Sequence, residues 1–243
     1  ILSHYAKCPA DIRPRLVELL TQRAEWATTL LNAIAREELP RDTLHINQVR
    51  RLQNSHNPAV TALVKKLWGQ IREGRNPGVE QAIQQVRTWV REMPGDPVRG
   101  HAVFKKTCAQ CHQIYGEGEQ VGPDITRNGR SSYEQLLSNV FDPNLVIGAD
   151  YQARTLTTQD GRSLSGLLVE DSPERVVLKL QGGKQEVVAR ADVDELIVSP
   201  LSLMPEGWEK QLPPQEVVDL ISFLVLDRPP TEKDAQRLPG AER

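Results

Sequence analysis

Long apolar runs, surplus charge and sulfur are all scarce in this chain of 243 residues, and each shortage removes a class of protein. No stretch of eighteen apolar residues occurs, so no helix is expected to span a bilayer. The 30 Lys and Arg stand against 32 Asp and Glu, spread along the chain for a net charge of −2. The basic stripe that nucleic acid demands is therefore missing. Beyond one close pair of cysteines only Cys8 remains, too few thiols for the paired sets of a structural zinc site. The opening segment ILSHYAKC lacks an initiator Met, a basic leader and an apolar leader core.

What is present is concentrated at one place. Cys108, Cys111 and His112 form the pattern C-x-x-C-H. Two thiols about one helical turn apart reach the two vinyl groups of a haem, and the next residue sets an imidazole under the iron. A thioredoxin-like dithiol would follow a strand, whereas this pair closes a predicted helix. The motif predicts one covalently attached haem c and single-electron transfer. No residue is needed as acid, base or nucleophile, so the chain by itself is not expected to be an enzyme. Haem is joined to thiols outside the bacterial inner membrane, which predicts a periplasmic or otherwise exported protein. The opening residues read as if cut from a helical array, as in the C-terminal piece of a longer chain.

Periodicity divides the sequence into three parts. Residues 1–92 are predicted helical, with apolar residues at three- and four-residue spacing over 13–20, 24–38, 44–52, 58–73 and 79–92. Short helices joined by Asn57–Pro58 and Asn76–Pro77–Gly78 suggest a HEAT-like scaffold, and a plain bundle fits nearly as well. The breaker cluster Met93–Pro94–Gly95–Asp96–Pro97 is the expected domain boundary. Residues 93–228 then form the haem domain, interrupted at 151–198 by five short strands with turns at Asp160–Gly161, Ser172–Pro173 and Gly182–Gly183. The polar, Pro-rich tail at 229–243 is expected to fray. The fold class is mainly α with a small antiparallel β insertion.

A six-coordinate iron needs a second axial ligand. Only Met93 and Met204 can offer a thioether, each preceding a proline. Met204, in a loop after the haem motif, is the leading candidate; Met93, His101 or an open position are the alternatives. A Met ligand raises the reduction potential relative to a second imidazole, which suits an acceptor of electrons. An open position would instead predict haem catalysis or gas sensing.

The segments GHAVFKKTCAQCHQ, VGPDIT and LMPEGWEKQLPPQEVVDLISFL together resemble a class I cytochrome c. That resemblance implies a first helix crossing a C-terminal helix through Gly100, Phe104 and Phe223. It also implies that the Pro123 carbonyl orients the iron-bound His112. The strands depart from a plain class I cytochrome. With DPNLVIGADYQA, TTQDGRSLSGLLVED and SPLSLMPEG, residues 93–226 resemble the haem-binding module of planctomycete and verrucomicrobial proteins. In that family helical repeats often precede the module, and the long exported chain often carries a dehydrogenase-like propeller. The implied partner is a redox protein or a fused dehydrogenase domain. Trp208 is a candidate donor to a haem propionate, and Arg127 or Arg130 a candidate ion partner, with core packing and ordinary surface as the rival readings.

Cys8 is the odd thiol. It is read as a buried core residue, as a disulfide partner for another segment or copy, or as a ligand of a second metal such as copper or zinc. His4 would share its helix face in that last case, with His45 or His56 completing the set.

Overall fold

The computed structural model describes residues 5, 8, 9, 12–44, 46–55, 57–72, 74, 76–130 and 132–241. The chain forms two compact units, Ile1–Glu73 with Gly148–Asp150, and Gly74–Ile147 with Tyr151–Arg243.

The first unit contains helices α1 (Arg13–Leu20), α2 (Ala24–Ala35), α3 (Ile46–Gln53) and α4 (Pro58–Trp68). Asn57 starts α4 by accepting the N–H groups of Ala59 and Val60 on its side-chain oxygen, with Pro58 at the position where no donor is needed. Gly69 ends it at φ 68°, a left-handed value that costs glycine little. Ala27, Leu30, Leu31 and Ile34 of α2 are buried, as are Val60, Val64 and Leu67 of α4, which packs against α2.

The second unit begins earlier than the breaker cluster suggests. Helix α5 (Pro77–Glu92) buries Ile83 and Val86 in one core with Phe104 of α6 (Pro97–Thr107) and Phe223 of α9 (Pro214–Leu224). The boundary expected at residues 92 and 93 therefore lies at 73 and 74. Residues 93–97 form a tight corner instead of a linker. Gln215 of α9 donates to the Pro94 carbonyl at 2.9 Å, and the Asp96 N–H donates to Asp219 at 2.8 Å. Gly95 is required there, since a Cβ would stand 1.8 Å from the Ser222 Oγ.

Helices α6 and α9 cross closely. Asp96 caps α6 by accepting from Val98 and Arg99, and Arg99 donates to Asp219 at 2.7 and 3.1 Å. Phe104 and Phe223 meet at 5.5 Å between ring centres and are fully buried, each contributing about 2–3 kcal/mol of transfer free energy. Helix α7 (Tyr133–Phe141), capped by Ser132, and the short α8 (Trp208–Gln211) complete the helical set.

Between α7 and α8 lies an antiparallel sheet of five strands: β1 (Ala153–Thr158), β2 (Ser163–Asp171), β3 (Arg175–Lys179), β4 (Gln185–Ala189) and β5 (Val193–Val198), in spatial order β4-β3-β2-β1-β5. Register places Leu156 opposite both Leu164 and Leu196, and Val176 opposite Val188. Leu156, Val176, Leu178 and Val188 form a small separate core, so the insertion folds around its own apolar face. The architecture is mixed helical and β.

The tail does not fray as expected. Asp227 N–H donates to the Gln236 carbonyl, Leu238 N–H to Val225, and Tyr133 N–H to Pro239. Leu238 and Ala241 pack against the helical core. A polar composition conceals two apolar anchors and a set of backbone hydrogen bonds.

Candidate functional site

The last turn of α6 runs directly into the cysteine pair. Cys108 accepts the N–H groups of Cys111 and His112 on its carbonyl at 3.0 and 2.9 Å, so the motif keeps a helical turn after the helix ends. The following loop folds back on it. Glu119 N–H donates to the Ala109 carbonyl, while Val121 and Gly122 both donate to the Cys111 carbonyl. Backbone bonds thus present the two thiols one turn apart, and the Thr107 hydroxyl lies 3.2 Å from the Cys108 Sγ.

His112 lies under this loop with its Nδ1 3.0 Å from the carbonyl oxygen of Pro123. A carbonyl only accepts, so Nδ1 carries the proton and Nε2 holds the lone pair. Gly122 makes room for the ring, because a Cβ there would stand 2.6 Å from the His112 Cε1. Burial pushes the imidazole pKa below its usual value, against the opposing pull of the Pro123 bond. Burial raises both thiol pKa values; at Cys111 the Gly182 backbone N–H opposes it.

The fold commits the rival nitrogen ligand elsewhere. His101 Nε2 pairs with Glu117 at 2.8 Å, and its ring stacks on Phe223 at 4.9 Å. Met93 ends α5, its N–H bonded to Trp89. Met204 is half-buried in the loop between β5 and α8, and its N–H donates to the Ser202 Oγ at 3.1 Å.

Trp208 packs against the helical core, yet its buried indole N–H has no hydrogen-bond partner among the described residues. A buried donor left so is costly, and a propionate oxygen would satisfy it. Arg130 does something else than expected. Its side chain is buried and all its nitrogens donate inward, to the carbonyls of Ile125, Thr126, Leu224 and Leu226 and to the Tyr115 hydroxyl. It ties the end of α9 to the loop after Pro123, where the helix dipole favours a cation. It is therefore not available to a propionate, and Arg127 is exposed.

Two contacts escape the sequence reading. The turn at Gln181–Gly183 reaches the motif, with the Gly182 N–H donating to the Gln110 carbonyl at 3.1 Å. Asn144 bonds the Met204 loop on both sides of the methionine. Both are long-range pairs whose only sequence trace is a turn signal. His4, His45 and His56 lie outside the described residues. Among the described residues no group of three or more His, Cys, Asp or Glu could hold a metal ion, which leaves the second-metal reading of Cys8 without support.

The residues present fit a haem: two thiols one turn apart, an imidazole with its outer nitrogen unprotonated, and an unsatisfied indole donor. Residues 97–162 match the family model for cytochrome c. This domain implies a covalently bound haem c and supports haem-based electron transfer in general terms. The match ends just before β2, so most of the sheet, the Met204 loop and α9 lie beyond it. No curated protein matches the chain. Among the described residues no helix is long and apolar enough to cross a membrane.

Proposed function

We propose that the second unit carries single electrons on a haem c joined to Cys108 and Cys111, with His112 and Met204 as its axial ligands. The observation that carries this reading is the His112–Pro123 hydrogen bond. It holds a neutral ring by Nδ1 and leaves Nε2 as the donor atom a metal needs. When bound, the haem supplies a one-electron iron couple. The chain's own residues do the rest. The backbone turn at 108–112 presents the thiols, Pro123 and Gly122 fix the imidazole plane, and the Trp208 N–H would donate to a propionate. A Met204 thioether would keep the potential higher than a second imidazole would.

The wider setting is what the family resemblance of residues 93–226 implies. Covalent haem attachment, which bacteria carry out outside the inner membrane, supports a periplasmic or otherwise exported protein. The first unit serves as a HEAT-like scaffold, and residues 93–226 act as the electron-accepting, planctomycete-type module of a larger dehydrogenase-like protein. The electron donor is then a redox partner protein or a fused dehydrogenase domain, and the chain itself is not an enzyme.

The far-red methionine–iron absorption band of the oxidised protein tests the ligand set. Expression with periplasmic haem-attachment machinery should give a pigment that keeps its haem on acid–acetone extraction and shows that band. A band that is missing, together with rapid cyanide and CO binding and peroxide turnover, would overturn the carrier reading for haem catalysis or gas sensing.

A further inference from the structure

The whole sheet insertion stands between α7 and the loop that carries Met204, so something must fix that loop on its return. In loop 199–207 Leu201, Pro205 and Glu206 are exposed, while Leu203 and Met204 are half-buried. Hydrogen bonds hold its ends, the Ser199 N–H donating to the Ala153 carbonyl and Gln211 to the Glu206 carbonyl, and others hold its middle.

Asn144 supplies two of them. It lies in the turn entering the insertion, on a firm base. Asp142 N–H bonds Ser138 at the end of α7, Leu145 N–H bonds Asp142, and Phe141, Asp142 and Leu145 are buried. From there the Asn144 Oδ1 accepts the Ser202 N–H at 2.7 Å, and its Nδ2 donates to the Glu206 carboxylate at 2.6 Å. Those two partners flank Met204 on either side. Ser202 in turn accepts the Met204 N–H, and Pro205 restricts Met204 to extended backbone. One amide therefore closes the neck of the insertion and grips the loop on both sides of the methionine.

We propose that Asn144 is a positioning residue for the Met204 ligand, so that the strength of the iron–sulfur bond depends on it more than the fold does. This rests on the reading of Met204 as axial ligand. An amide is the side chain suited to the task, because it offers one acceptor to the backbone and one donor to the carboxylate.

The test compares oxidised holoprotein of the wild type, Asn144→Ala, Asn144→Asp and the double variant Asn144→Asp with Glu206→Gln, with Met204→Ala as reference. Each is read by the far-red band, by imidazole affinity for the ferric form and by thermal unfolding. Removing the Asn144 amide should weaken the band and raise imidazole affinity about tenfold, the worth of one to two net hydrogen bonds. Asn144→Asp sets two carboxylates together and should do the same. The double variant restores an acceptor facing a donor and should recover the band. Equal bands and affinities in the wild type and the single variants would overturn the positioning role while leaving Met204 as ligand. A wild type with no band would overturn both readings at once. Should Asn144→Ala fail to fold, the Asp variant and its Gln-paired rescue decide alone, loss followed by recovery supporting the proposal and identical spectra overturning it.

Discussion

Gly100 on α6 rests directly against Asp219 on α9: a Cβ built on the glycine would stand 1.9 Å from the Asp219 carbonyl oxygen and 2.9 Å from the Phe223 Cβ. No rotamer relieves a clash with backbone. Gly100→Ala must force the helices apart, at a cost of about 3 kcal/mol, toward the upper end for overpacking. Urea unfolding of the holoprotein should show the midpoint falling with the slope unchanged.

Asp219 carries a second, pH-dependent contribution at the same crossing. Its side chain is 4% exposed. Burial pushes the carboxyl pKa up, but hydrogen bonds from Arg99, the Asp96 backbone and Gln215 outweigh it and hold it below its ordinary value. A depressed folded pKa means stability that is fully present above the unfolded value of about 4 and lost as pH falls through the folded one. An amide in place of the carboxylate keeps the shape and loses the charge. Asp219→Asn should cost about 1.5–3 kcal/mol at neutral pH, and its unfolding midpoint should fall less between pH 5 and 3 than that of the wild type. Parallel curves over that window would refute the assignment.

Trp208 offers a sharper test of the haem environment. Trp208→Phe preserves most of the packing and removes the indole donor that has no partner among the described residues. With a propionate left less neutralised, the ferric state gains and the potential should fall. A change on the order of a tenfold shift in the redox equilibrium is expected, about 59 mV for one electron. A spectroelectrochemical titration reads it, and an unchanged potential would place the indole away from any propionate.

The motif at 108–112 and the strands are legible in the sequence because their signals are local. Alternation of apolar residues and paired turn residues places five strands within 151–198, and the observed five run from Ala153 to Val198. The domain boundary is misplaced for the same reason. The cluster at 93–97 does break a helix, but a break says nothing about which core the preceding helix joins, and Ile83 and Val86 join that of Phe104 and Phe223. Arg130 escapes because its acceptors at Leu224 and Leu226 lie more than ninety residues away and are carbonyls, which every residue carries. Asn144 stands in the segment DPNLVIGADYQA, where nothing local points to Ser202 or Glu206 about sixty residues on.

The returning tail has a practical consequence for anyone shortening the chain. Residues 227–241 look dispensable by composition, yet the Leu238 N–H closes on Val225 and the Pro239 carbonyl holds the first residue of α7. A cut after Leu226 would strip the Tyr133 N–H of its acceptor and uncover the core beneath Leu238 and Ala241. In limited proteolysis this stretch should behave as a latch that is cleaved late, and a trimmed haem unit is better ended past Ala241 than at the end of α9.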